Sequence, residues 1–222
     1  MALGFGSTEG SGSGDRVTTA FTAHATQRSY GVWIYPSDGG DSIKRVFEKR
    51  TNSGQVELVI YNTSQFRIEY ERQWSGLRGR WSTPSFVADA WTHLGITYDS
   101  SNSSNDAVFY KNGTAQPVTV LNVPTGAAEN NTDPYIIGNR GDGTRTFGAR
   151  LAEFAIWDRI LTPDEWISIG RGLSPVCYPK DLRCYVPMIR DGLDLINGVC
   201  TVTGASPRTH PPVMSRRGVW IE

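Results

Sequence analysis

The chain has little sulfur and no net charge. Cysteine occurs three times, at Cys177, Cys184 and Cys200, with no CxxC pair. An odd set without metal-type spacing argues against a disulfide framework and a structural zinc site. The 22 basic and 22 acidic residues cancel, so no global field draws the protein to nucleic acid or an anionic membrane. No apolar run approaches the length of a membrane span, and the N-terminus lacks the charged and apolar regions of a signal peptide; we therefore expect no membrane partner and folding in a cytosol. Histidine is also sparse: His24, His93 and His210 are scattered, without a partnered Ser or Cys motif, which argues against nucleophilic catalysis.

Glycine and proline are plentiful, 24 and 12 of 222 residues, and they punctuate short alternating segments. In 92–98, Thr92, Leu94, Ile96 and Tyr98 alternate with His93, Gly95 and Thr97, the period-two signature of a strand. Residues 99–106 contain Ser, Asn and Asp and no apolar side chain, as expected of a solvated loop. Asn112-Gly113 supplies the positive φ angles of a tight turn and predicts a hairpin between 108–110 and 118–120. Residues 30–35, 45–49, 56–61 and 66–74 also read as strands. In the last of these Phe66, Ile68, Tyr70, Arg72 and Trp74 share one face. Arg67, Glu69, Glu71 and Gln73 form the other, which reads as a solvated charge ladder that discourages edge pairing.

One segment reads as helix. Thr162 suits the N-cap, Pro163 the first helical position, Glu165 closes a capping box, and Leu161 can staple onto Trp166, with an end near Gly170 or Gly172. The sequence divides into a Gly/Ser-rich flexible arm (1–14), one all-β domain (15–205) and an extended C-terminal tail (206–222).

The segments 91–99, 107–113, 136–139 and 147–165, in that order, resemble the laminin-G-like branch of the concanavalin A-like lectin jelly rolls. The resemblance implies an all-β, two-sheet antiparallel jelly-roll sandwich with one short helix. The segment 182–204 resembles the opening strands of such domains but follows the rest, which implies a circular permutation; a sandwich with neighbouring termini permits one. His93 falls where the family places a structural histidine.

Two kinds of site are consistent with that resemblance. Calcium at a loop rim needs several converging oxygens; Asp99, Asn105, Asp106, Asn139 and Asp142 can supply them, although Asp and Asn are also ordinary turn formers. No other cofactor is expected. A sugar platform would use Trp74 and Trp81 with Arg78 and Arg80 between them, and core packing of the two Trp rings is the alternative. Glycosidases of this fold need two carboxylates across the scissile bond, and Glu69 and Glu71 read instead as surface charges, so catalysis is not expected. A permuted chain with an arm and a proline-bearing tail resembles domains of tailed-bacteriophage virions. That resemblance implies a capsid decoration protein, made in a bacterial cytoplasm and bound through its termini to the major capsid protein or other virion proteins. A carbohydrate-binding module on a tail or fibre is the alternative and a glycosidase the third reading; glycan and a second copy of the chain are further possible partners.

Overall fold

The computed structural model describes residues 2–6, 14–36, 43–51, 54–62, 67–84, 86, 88–189, 192–214 and 220–221. They form a sandwich of two antiparallel sheets, each of eight strands, with one α-helix, the all-β architecture expected. The first sheet runs Thr114–Ala115, Val108–Lys111, Thr92–Asp99, Gln27–Tyr35, Arg150–Trp157, Ala2–Gly4, Ser206–Arg208, with Leu182–Val186 on the second half of Arg150–Trp157. The second runs Thr119–Asn122, Gly79–Thr83, Arg67–Arg72, Gly54–Asn62, Ile43–Thr51, Tyr135–Ile137, Arg16–Thr18, Thr201–Thr203.

Alternation decides which side chains fill the space between the sheets. Leu94, Ile96 and Tyr98 from one sheet meet Ile68, Tyr70 and Trp81 from the other, all buried in one cluster. The Trp81 ring lies 4.8 Å from Tyr98 and 5.9 Å from Tyr70. At one end the interior is polar. Buried Glu57 accepts from Tyr70 Oη at 3.1 Å and Tyr135 Oη at 2.6 Å, and Arg72 lies 3.7 Å away. Burial pulls the Glu57 carboxyl upward, but His24, Arg72 and Arg28 outweigh it and hold the group well below the usual range. Charges desolvated this deeply must be paired, and Arg28 of the first sheet, donating to Tyr135 Oη, ties the network to the other sheet.

The helix Pro163–Gly170 has the expected capping box, with Thr162 and Glu165 bonding reciprocally. It covers the outer face of the first sheet by seating Trp166 over Gly31 and Gly95, which face each other across two strands. A Cβ at Gly95 would stand 2.8 Å from the Trp166 ring, so only glycine lets the helix approach. His93 lies beside the same ring, 5.8 Å away, with Trp33 at 5.4 Å. Burial lowers its pKa to about 3, the behaviour of a neutral core histidine.

Four expectations are corrected. The arm is a strand at its start: Ala2–Gly4 pairs with Arg150–Trp157 on one side and Ser206–Arg208 on the other, and Ala2, Leu3 and Phe5 are fully buried. Residues 7–13 of the arm lie outside the described residues. The C-terminal tail likewise begins as a strand. His210 then docks on the first sheet, its Nε2 3.1 Å from Glu153 Oε1, while Tyr185 Oη donates to Glu153 Oε2 at 2.5 Å; residues 215–219 lie outside the described residues. The Asn112-Gly113 turn joins Val108–Lys111 to Thr114–Ala115, and Thr119–Asn122 crosses to the other sheet. Finally, Glu69 and Glu71 are buried rather than solvated; Phe66, read onto the opposite face, lies outside the described residues. The two chain ends are neighbours in both sheets, as a permuted order requires and as an unpermuted closed sandwich also has.

Candidate functional site

The residues proposed for calcium fall in two loops, Asp99, Asn105 and Asp106 in 99–106 and Asn139 and Asp142 in 139–144. Asp99 accepts from Gln27 Nε2 and the Ser101 amide, at 2.8 and 2.9 Å, and Asn105 Nδ2 donates to the Asp99 carbonyl. Asp106 Oδ1 receives Trp81 Nε1 at 2.8 Å. Asn139 is fully buried, its Nδ2 on the Asp15 carbonyl and Thr146 Oγ1, its Oδ1 accepting the Arg140 and Arg145 amides. Asp142 accepts from Thr144 and pairs with Arg140 and Arg50, and the Thr144 bond holds its carboxyl below the ordinary range. Most of these oxygens are taken by turn amides, ion pairs or neighbouring side chains. Among the described residues no three His, Cys, Asp or Glu side chains are placed to share a metal.

The proposed platform divides in two. Trp74 and Trp81 point into the core and are buried, whereas Arg78 and Arg80 lie on the opposite surface. Strand alternation separates Arg80 from Trp81, so the rings are not a sugar platform.

The surface that remains is the outer face of the second sheet. The first sheet is roofed by the helix and the segment carrying His210 and Val213; among the described residues no helix or strand covers the second. Its rows follow the register: Arg80, Glu71, Leu58 and Glu48 stand side by side on four neighbouring strands, as do Ser82, Glu69, Ile60 and Arg45. Leu58 and Ile60 are nevertheless buried, because flanking arginine stems can lie across apolar floor while their heads stay wet. A shallow depression opens here, lined by Val56, Leu58, Glu71, Arg72, Gln73 and Arg78.

Ion pairs organise the face. Arg67 reaches Glu69 Oε1 at 2.5 Å and Arg80 reaches Glu69 Oε2 at 2.6 Å; Glu71 Oε1 meets Arg80 at 2.9 Å and Glu71 Oε2 meets Arg78 at 3.0 Å. All four carboxylate oxygens thus lie within 3.0 Å of a guanidinium nitrogen, three of them in hydrogen bonds and Glu71 Oε1 in an ion pair with Arg80 Nε alone. Arg45 pairs with Glu48 at 3.3 Å, and the Gly141 amide donates to the other Glu48 oxygen at 2.7 Å. The sequence showed the Glu69/Glu71 alternation but not its burial. The cue was the Arg78-x-Arg80 pair just across the turn from Glu71. Val56, Leu58 and Gln73 carried no signal of their own.

A two-sheet jelly roll with one roofed face and one polar, uncovered face is a lectin-type sandwich. The chain belongs to the concanavalin A-like lectin/glucanases superfamily, whose laminin-G family profile matches residues 11–165. Rat serum amyloid P-component is 27% identical over 137 residues, and mouse neuronal pentraxin-2 is 28% identical over 120. Those alignments take in 59% and 52% of this chain, and the chain spans 57% and 27% of the length of those relatives. Among solved structures, a Bacteroides ovatus protein whose carbohydrate-binding role is itself provisional superposes with TM-score 0.65 at 16% identity, covering 96% of this chain and 60% of that one. The heptameric SAP-like pentraxin of Limulus polyphemus gives 0.63 at 14% identity, covering 86% and 87%. At such identities these two likenesses speak for the fold alone.

Proposed function

We propose that this chain is a non-catalytic carbohydrate-binding domain whose ligand lies on the outer face of the second sheet. The observation that carries the reading is the outer face of the second sheet, which no described helix or strand covers and on which Glu71, Gln73 and Arg78 border a shallow depression with Val56 and Leu58 buried beneath it. Such polar side chains can bond the hydroxyls of a sugar. The provisional carbohydrate-binding role of the Bacteroides ovatus protein supports the same direction. Hydrolysis would need one carboxyl free to protonate a leaving group and another to attack or activate water. The oxygens of Glu69 and Glu71 are all occupied by arginines.

The capsid-decoration reading rested mainly on a resemblance to tailed-bacteriophage domains, with an arm or tail as anchor. Ala2–Gly4 and Ser206–Arg208 are built into the first sheet, and the similar proteins include pentraxins and a provisional carbohydrate-binding protein, so the lectin alternative takes precedence. Self-association accompanies it. The hairpin of Leu193–Asp194 and Gly198–Val199 leaves Leu193, Leu195, Ile196 and Val199 exposed, Val199 by 83%, an apolar cluster suited to a second copy. Repeated copies convert weak sugar contacts into avidity.

The test is a glycan array followed by calorimetric titration of the strongest hit with wild type and Gln73→Ala. Binding weakened by the substitution, with melting unchanged, is expected. An array with no specific glycan, read with folded and surface-tethered protein, overturns the reading.

A further inference from the structure

Among the described residues the uncovered face offers solvent more donors than acceptors, with the carboxylate of Asp142, 42% exposed, as the exception. Its ion pairs join six arginines, Arg45, Arg50, Arg67, Arg78, Arg80 and Arg140, to four carboxylates, Glu48, Glu69, Glu71 and Asp142. Among the described residues two cations are therefore in excess here, in a chain whose overall charge is zero. The layering sharpens the asymmetry. The side chains of Glu48, Glu69 and Glu71 are 0%, 3% and 9% exposed, while those of Arg67, Arg80 and Arg78 are 28%, 33% and 46% exposed. The carboxylates orient the guanidinium groups from below, and each planar fork keeps N–H groups that its partner does not use.

Arg45 supplies an independent observation. Its Nε pairs with Glu48, yet its Nη1 is buried and has no hydrogen-bond acceptor. Buried polar groups are ordinarily satisfied, so this N–H lacks the acceptor such a group usually has. Recognition of neutral sugar hydroxyls, each donor and acceptor at once, would call for exposed acceptors beside the donors. This face presents mainly N–H groups, with Gln73 Nε2 already donating to the Trp74 carbonyl.

We propose that the ligand of this face is an acidic polysaccharide, whose carboxylate or sulfate groups are received by the outward N–H groups of Arg67, Arg78 and Arg80. The assignment rests on the carbohydrate-binding reading and names its ligand class. Arg–carboxylate and Arg–sulfate contacts of this kind are charge-assisted and planar, and a cationic face also speeds the encounter with an anionic chain.

Calorimetric titrations of the full chain with an oligogalacturonate, its carboxyl-reduced neutral counterpart and a sulfated galactan oligosaccharide of equal length test the proposal. At least one acidic probe should bind, about tenfold or more tightly than the neutral one, and weaken with added salt. A preference for one acidic probe distinguishes carboxylate from sulfate as the recognised group. Arg78→Gln, at the half-exposed site, should reduce acidic binding by about fivefold to tenfold with little change in melting temperature. Arg67→Gln should reduce binding similarly and also lower the melting temperature, because it removes a partner of buried Glu69. Equal affinity for the acidic and neutral probes, unaffected by Arg78→Gln, would overturn the proposal and leave the carbohydrate-binding reading intact. Polyglutamate bound as tightly as the acidic sugars would overturn it too, as a general polyanion surface. Silence toward all three oligosaccharides also overturns it, and the glycan array then decides the parent reading separately.

Discussion

Phe5 sits in a Gly-rich segment that composition alone marks as a flexible arm, and the structure buries it completely. Its amide donates to the Ala149 carbonyl at 2.8 Å, and its ring lies against Gly138, where a Cβ would come within 2.5 Å of it. Truncating a buried Phe to Ala costs about 3–5 kcal/mol through lost transfer energy and the cavity left behind. For a domain of this size each kcal/mol moves the melting temperature by about 2–4 °C. Phe5→Ala should therefore melt about 6–20 °C below wild type in scanning calorimetry. Val123→Ala, at a site 60% exposed, should stay within about 2 °C. Gly138→Ala should also destabilise, because φ is +80° there and the methyl meets the Phe5 ring. Combined with Phe5→Ala its cost should be less than additive, since the cavity accepts the methyl while the backbone strain persists. A Phe5→Ala protein that melts at the wild-type temperature would refute the strand assignment and restore the free arm.

Acid should destabilise the protein from about pH 6.5 downward, because His93 is neutral in the fold, with its pKa lowered to about 3, and protonates readily only when unfolded. The stability this gives is fully present above pH 6.5 and declines by up to about 1.4 kcal/mol per pH unit below it; an unchanged acid limb in His93→Gln would contradict this. His24 shifts in the same direction by burial and adds to the slope. Chelator should leave thermal melting unchanged, since a metal bound only by the native state would raise stability by mass action; a calcium-dependent rise abolished by Asp142→Ala would reverse that. A chain ending at Gly172 should not fold cooperatively, because it loses Leu182–Val186 from the first sheet and Thr201–Thr203 from the second. Val199→Glu should shift sedimentation toward smaller species if the exposed hairpin joins copies, and identical profiles would remove that role.

Local patterns were legible where neighbours in sequence decide the structure. The alternation through 92–98 and the capping box at Thr162 and Glu165 both needed only nearby residues. Leu3 and Phe5 were hidden because two apolar residues among glycines make no period, and their partners lie near 150 and 207 in the chain. The Asn112-Gly113 turn was visible, but the departure of Thr119–Asn122 to the opposite sheet depends on long-range pairing with Gly79–Thr83. At the candidate site, alternation gave the shared face of Glu69 and Glu71 correctly. It could not show that arginines from the same and the next strand would close over them. The calcium candidates were chosen by residue type, which could not show that most of their oxygens are engaged in turns and ion pairs.

The most direct test of the account is a two-dimensional NMR titration of the labelled protein with the oligogalacturonate and, separately, the sulfated oligosaccharide. Backbone and arginine Nε–H signals of Arg67, Glu71, Gln73, Arg78 and Arg80 should shift with a common saturation, leaving the helix residues Pro163–Gly170 unmoved. Shifts confined to the loops at 99–106 and 139–144, or to the helix side of the sandwich, would contradict the assignment of ligand binding to the outer face of the second sheet.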